Sequence, residues 1–146
     1  MSNRFTVVPA VYIIVRRDDK VLFIRRANTG YHDGLYALPA GHIDGGEPAH
    51  IAAIREAKEE VGITIAPDDV QLKHVMHRFA EEADHERVDF FFEVTKYAGE
   101  PSNNEPEKCD DIQWFSLADL PENTSPVCKS ALEMIAADQV YSSHNF

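Results

Sequence analysis

Little in this chain supports a disulfide scaffold or a zinc site. Only two cysteines are present, Cys109 and Cys128, with no C-x-x-C pair and no His/Cys cluster. They are expected to be reduced thiols. No apolar run is long enough to cross a bilayer as a helix; the longest, Val7 to Val15, is short enough to be a buried strand. The opening residues, Met-Ser-Asn-Arg-Phe, lack a signal-peptide pattern, so the expected location is cytoplasmic with no membrane partner. Positive charge is also scarce: 14 Lys and Arg face 25 Asp and Glu, a net charge of −11. That excess argues against non-specific nucleic-acid binding, which needs a basic surface, so no nucleic-acid partner is expected. It also means that an anionic small molecule would approach against the field, and bound cations with a few local arginines must handle its charge. Internal repeats, linkers and low-complexity segments are absent, and 146 residues suit one domain spanning 1–146.

What is present is concentrated between Gly41 and Ile63. The first half, with Gly41, Asp44, Gly45 and Gly46, reads as a turn-rich loop. The second half reads as a helix: Pro48 suits a first helical position, Ala49, Ala52, Ala53 and Ala57 favour helix, and Gly62 can stop it in the left-handed conformation. At about 100° per residue, Glu56, Glu59 and Glu60 fall on one face, with Ile54, Ala57 and Val61 roughly opposite. Like charges four residues apart repel, and the helix C-terminus is itself partly negative. Arg55 and Lys58 offset some of this, and a hard divalent cation would offset it fully. By itself an E-x-x-E-E run is more often a solvated acidic face than a metal site.

The whole string changes that balance. Gly41, Glu47, Arg55, Glu56, Glu59, Glu60 and Gly62, with Ala57 and Ile63 at aliphatic positions, match G-x5-E-x7-R-E-U-x-E-E-x-G-U, where U is aliphatic. This resembles the signature of the Nudix hydrolases. The strict match covers 23 residues, and the flanking strand order is similar over most of the chain.

Around it, strands are expected from Phe5 to Arg16, Val21 to Arg26, Leu35 to Leu38, Gln71 to Phe79, Arg87 to Tyr97 and Ile112 to Ser116. Ala27 to Gly34 and Gly99 to Asp111 read as loops, Leu117 to Pro121 as one helical turn, Pro126 to Asp138 as a closing helix and Tyr141 to Phe146 as a disordered end. The fold class is α/β, helices on both faces of a mixed sheet; the resemblance implies the same α/β/α sandwich.

The resemblance also implies roles. Glu56 and Glu60 would ligate Mg²⁺ (Mn²⁺ as a substitute), with Glu59 sharing the task and the Ala40 carbonyl completing the site. Many relatives carry glycine at position 40; alanine keeps the carbonyl. Arg55 would fork onto Glu47, tying loop to helix. The loop after Gly99-Glu100-Pro101 is similar to that of the mutator-type (MutT-like) nucleoside triphosphate pyrophosphohydrolases, which makes Glu105 a further metal ligand or general base, with Glu107 as the fallback and solvated loop acids as the alternative for both. In those relatives Arg26 aligns with a phosphate-binding arginine and Arg87 with one near the nucleobase. Asn123 lies one residue from a base-reading asparagine. Each is equally well an ordinary surface residue. His42 is a loop residue beside Gly41, near phosphate or structural.

The expected substrate is a nucleoside triphosphate, cleaved to monophosphate and pyrophosphate. The second choice is a nucleoside diphosphate linked to another moiety, such as ADP-ribose or a nucleotide sugar; the third is a nucleotide-binding module without catalysis. A homodimer is left open.

Overall fold

The structure, a computed structural model, describes residues 3–146. Its centre is β1 (Val8–Arg17), followed by β2 (Lys20–Arg26), β3 (Tyr36–Ala37) and β4 (Ala40–His42). Helix α1 (Ala49–Val61) comes next, then β5 (Val70–Ala80), β6 (His85–Val94), β7 (Cys109–Ser116), α2 (Pro126–Ala136) and β8 (Tyr141–His144). β1 pairs parallel with β6 and antiparallel with β2 and β4; β5 lies between β6 (antiparallel) and β8 (parallel); β2 carries β3 and β7. The sheet is therefore mixed.

The apolar run in β1 exists because both of its faces are covered. Val11, Ile13 and Val15 join Leu22, Ile24, Phe92 and Val94 beneath Ala52, Ala53, Ala57 and Val61 of α1. Ala10, Tyr12 and Ile14 join Val21, Phe23, Met76 and Phe91 beneath Val127, Cys128, Ala131 and Leu132 of α2. Alternate residues of one strand thus feed two cores, and the α/β/α sandwich follows. Both cysteines are buried free thiols. Among the described residues no helix is long and apolar enough to cross a membrane.

One feature of the pairing opens a cavity. β1 and β2 are registered only at Arg16↔Val21 and Arg17↔Lys20. Beyond that hairpin they part: β4 takes the vacated edge of β1, while β3 pairs with β2.

Besides shifts of a few residues at strand ends, such as β7 starting at Cys109 within the expected loop, four details differ from the sequence expectation. Pro48 is the N-cap, one residue before the helix, with extended backbone (φ −70°, ψ 157°), and Ala49 starts the helix. Ala40–His42 is strand rather than loop, because the splayed β1 offers it an edge. Leu117 to Pro121 is a turn without helix. The C-terminal stretch is ordered as β8. Buried His74 donates from Nδ1 to the Gln139 carbonyl (2.8 Å), leaving Nε2 to accept from the Ser142 hydroxyl (2.7 Å). The polar Ser142 and Ser143 hid a strand held by its backbone ladder and by one histidine.

Candidate active site

Helix α1 positions the glutamates. Gly62 ends it in the left-handed region (φ 76°), its N–H returning to the Lys58 carbonyl. The loop of residues 99–108 then docks on the helix end: Asn104 N–H donates to the Glu60 carbonyl and Ser102 N–H to that of Val61, both at 3.0 Å. Carbonyls that a helix end leaves unpaired are satisfied in this way, and the same docking brings Glu105 to the cavity that Glu56, Glu59 and Glu60 line. Glu107 is exposed and does not line it.

Arg55 organises the entry to the helix. Its Nε and one terminal nitrogen hold Glu47 in a fork (3.1 and 2.7 Å). The same guanidinium reaches the His42 carbonyl (3.1 Å), Glu56 (2.8 Å) and Glu59 (3.3 Å). It holds the Glu47 carboxyl below its usual range. Gly41 leaves the space that Glu56 fills: a Cβ there would lie 2.0–2.4 Å from the Glu56 carboxyl atoms. Position 41 is glycine for close approach, not for backbone freedom.

Glu60 is the most perturbed acid. Burial, and then the charge of Glu56, push its pKa up to about 8, against the lowering effect of one hydrogen bond from Ala40 N–H (3.3 Å). Burial also raises Glu56, with Arg55 opposing. The β1–β4 ladder closes through Ile13 N–H to Pro39 carbonyl and Ile43 N–H to Pro9 carbonyl. Tyr12↔Ala40 is therefore a non-hydrogen-bonded pair, so the N–H and carbonyl of Ala40 both point away from β1, on the edge where Glu60 sits.

The donor set suits a hard divalent cation: carboxylates and one carbonyl, with two acids whose charged forms lack full compensation. Among the described residues no group of three acids or imidazoles is already gathered as a coordination sphere. Glu56 accepts from Arg55 and Glu60 from the Ala40 N–H.

The cavity, about 530 Å³, extends from these acids to a basic and aromatic wall. Arg26 and Arg87 line it, together with His42, Lys108, Tyr12, Tyr31 and His85. Burial, and then the charge of Arg87, lower the His42 pKa. Asn123 is not in the lining; its amide donates to the Gly34 carbonyl (3.0 Å) and ties the loop before α2 to the one before β3. Sequence reasoning missed Tyr12, Tyr31, His85 and Lys108, which come from separate segments. No local signal marks them, because they meet only where β1 and β2 part.

The NUDIX domain family model matches residues 6–136. The chain belongs to the Nudix family. A MutT NUDIX hydrolase crystal structure from Burkholderia pseudomallei is similar at 28% identity and TM-score 0.81, covering 88% of this chain and 97% of that one. An NAD-capped RNA hydrolase (NudC) of Pseudomonas entomophila is 30% identical over 77% of this chain, which spans 38% of its length. An ADP-ribose pyrophosphatase of Methanocaldococcus jannaschii is 42% identical over 57 residues, 38% of this chain and 33% of its own. The chain thus spans 38% and 33% of the lengths of these two curated relatives.

Proposed function

We propose that this Nudix domain hydrolyses a phosphoanhydride bond of a nucleoside triphosphate, giving monophosphate and pyrophosphate, with Mg²⁺ as cofactor and Mn²⁺ as a substitute. The observation that carries this reading is the division of one cavity into an oxygen-donor end on α1 and a cationic end at Arg26, Arg87 and Lys108. Glu56, Glu60, Glu59, Glu105 and the Ala40 carbonyl would hold the metal. When bound, the metal supplies charge neutralisation at the phosphate oxygens and a water of lowered pKa. Arg55 keeps Glu56 and Glu59 oriented and locks the loop through Glu47. Arg26 takes phosphate oxygens, and Arg87 takes acceptors at the far end of the substrate. Glu105 is the loop acid within reach to hold a proton from water, with the helix glutamates as the other source of a base. Asn123 stands apart from the cavity and has no part in substrate binding here.

A second reading, a nucleoside diphosphate linked to another moiety such as ADP-ribose or a nucleotide sugar, draws on the 42% identity over 57 residues to an ADP-ribose pyrophosphatase. A binding module without catalysis is the third, disfavoured because all three helix glutamates remain. A panel of canonical and oxidised nucleoside triphosphates, ADP-ribose, nucleotide sugars and NAD, scored with Mg²⁺ for the product pair, separates them. The absence of pyrophosphate release from every triphosphate would reject the first reading. Equal rates for wild type and Glu60→Gln would favour the binding module.

A further inference from the structure

A buried ion pair lies behind the cationic wall. Arg78 of β5 and Asp89 of β6 meet at 2.6 Å with side chains 1% and 0% exposed. Arg78 is registered directly opposite Arg87. Two like charges across a strand pair repel, and Asp89, two residues along from Arg87, bridges them: its second oxygen accepts from Arg87 Nε at 3.4 Å. The remaining guanidinium donors of Arg87 meet no protein acceptor among the described residues, and Arg87 lines the cavity.

Arg78 continues in the other direction. One of its terminal nitrogens donates to the Tyr31 hydroxyl (3.2 Å). The backbone carbonyl of the same Tyr31 accepts from Arg26 Nε (2.8 Å), and the Arg26 guanidinium lies 5.5 Å from the Tyr31 ring. Arg26, Tyr31, Arg78, Asp89 and Arg87 thus form one hydrogen-bonded series, with an ion pair sealed from water at its middle and a cavity arginine at each end.

A sealed ion pair is a poor source of stability. Well-packed apolar residues of similar volume often serve as well or better, because desolvating two charges offsets most of their attraction. Its position suggests what else it does. We infer that Arg78 and Asp89 are positioning residues for substrate binding, setting the separation and direction of Arg26 and Arg87 so that one anionic nucleotide meets both guanidiniums. Neither touches the substrate; Arg78 acts on Arg26 through Tyr31, and Asp89 acts on Arg87 directly. The inference rests on the proposed function, since it assumes that a nucleotide occupies this cavity.

Two sets of variants test it with the whole chain and Mg²⁺. KM and kcat are measured on the nucleotide that the panel selects, and Kd on its methylene-bridged, non-hydrolysable analogue. The first set is the apolar replacement Arg78→Met with Asp89→Leu. Relief of the sealed charges is offset by loss of the Arg78 donor to the buried Tyr12 hydroxyl (3.4 Å), so the expected result is a melting temperature within roughly 5 °C of wild type, KM and Kd raised tenfold or more, and kcat within about threefold. The second set, which keeps the core intact, is Tyr31→Phe, made in wild type and in Arg26→Gln. It should raise KM three- to tenfold in wild type and less than 1.5-fold once Arg26 is gone, because the tyrosine acts through that arginine. KM unchanged in Tyr31→Phe, or raised by the same factor in both backgrounds, overturns the inference whether or not the double replacement folds. A wild-type protein that hydrolyses and binds no nucleotide defeats the proposed function and this inference together. Turnover with unaltered KM in the variants defeats the inference alone.

Discussion

Replacing Glu60 by Gln should make the metal-free protein more stable and the enzyme far slower. The folded pKa of Glu60, about 8, lies above its ordinary 4.5, chiefly through burial and then through Glu56. A carboxyl raised on folding leaves stability intact below about pH 4.5. Stability is then lost as pH rises towards 8, and the loss levels off above that. The gap between those two values corresponds to a few kcal/mol of differential free energy. Glutamine keeps an oxygen to accept from Ala40 N–H and carries no charge to desolvate. At about 2–4 °C per kcal/mol for a chain of this size, Glu60→Gln should melt roughly 10 °C or more above wild type at pH 8.5 in EDTA. The two should converge at pH 5. Adding Mg²⁺ should raise the wild-type melting temperature much more than that of the variant, because the ion stabilises by binding the native acids. Turnover should fall by about a hundredfold or more, the scale of lost electrostatic stabilisation at a reacting centre. Thermal melts by circular dichroism at pH 5, 7 and 8.5, with and without Mg²⁺, read all of this. A variant no more stable than wild type at pH 8.5 in EDTA would refute the reasoning, as would an undiminished Mg²⁺ response.

Three further outcomes follow from neighbouring contacts. Gly41→Ala puts a methyl group where the Glu56 carboxyl lies, so kcat should drop ten- to a hundredfold with the fold retained, checked by steady-state kinetics beside a melt. Arg55→Lys keeps the charge but loses the fork to Glu47 and the bond to the His42 carbonyl; denaturant titration should show a loss of about 1–3 kcal/mol, and turnover should fall because Glu56 and Glu59 lose their common partner. Glu105→Gln should lower kcat at least tenfold while Glu107→Gln stays within twofold, since only Glu105 lines the cavity; equal effects would contradict that assignment.

The acidic half of the site was legible because it is local. Gly41, Glu47, Arg55, the glutamates and Gly62 lie within one loop and one helix, where a fixed spacing becomes a fixed geometry. The two-sided burial of β1 was legible for a related reason, as a continuous apolar run implies cover on both faces. The far wall was not. Arg26 and Arg87 were named only through the family resemblance; Tyr12, Tyr31, His85 and Lys108 come from β1, two loops and β6, and their meeting depends on how β1 and β2 part, which local periodicity does not encode. Asp89 and Arg78 look like ordinary strand charges until the register sets Arg78 against Arg87. Similarly, the C-terminal Ser142 and Ser143 carry no strand signal of their own, and His74, over sixty residues earlier, holds that end in place.

The electrostatics of the whole chain set one more expectation. A net charge of −11 repels a nucleotide from a distance, yet four acids and three basic side chains line the cavity, so a single divalent ion turns its local charge positive. The two effects have different ranges. Repulsion from the surface acts over many ångströms and is screened once the Debye length shrinks to about 8 Å near 0.15 M salt. On the proposed function, contacts of Arg26 with phosphate and of Arg87 with the far end of the substrate lie inside the cavity and would be screened less. At saturating Mg²⁺, kcat/KM should therefore rise about two- to threefold as KCl goes from 10 to 150 mM, while kcat stays constant. A steady fall over that range would mean that the cavity's own positive field, rather than the acidic surface, governs the approach.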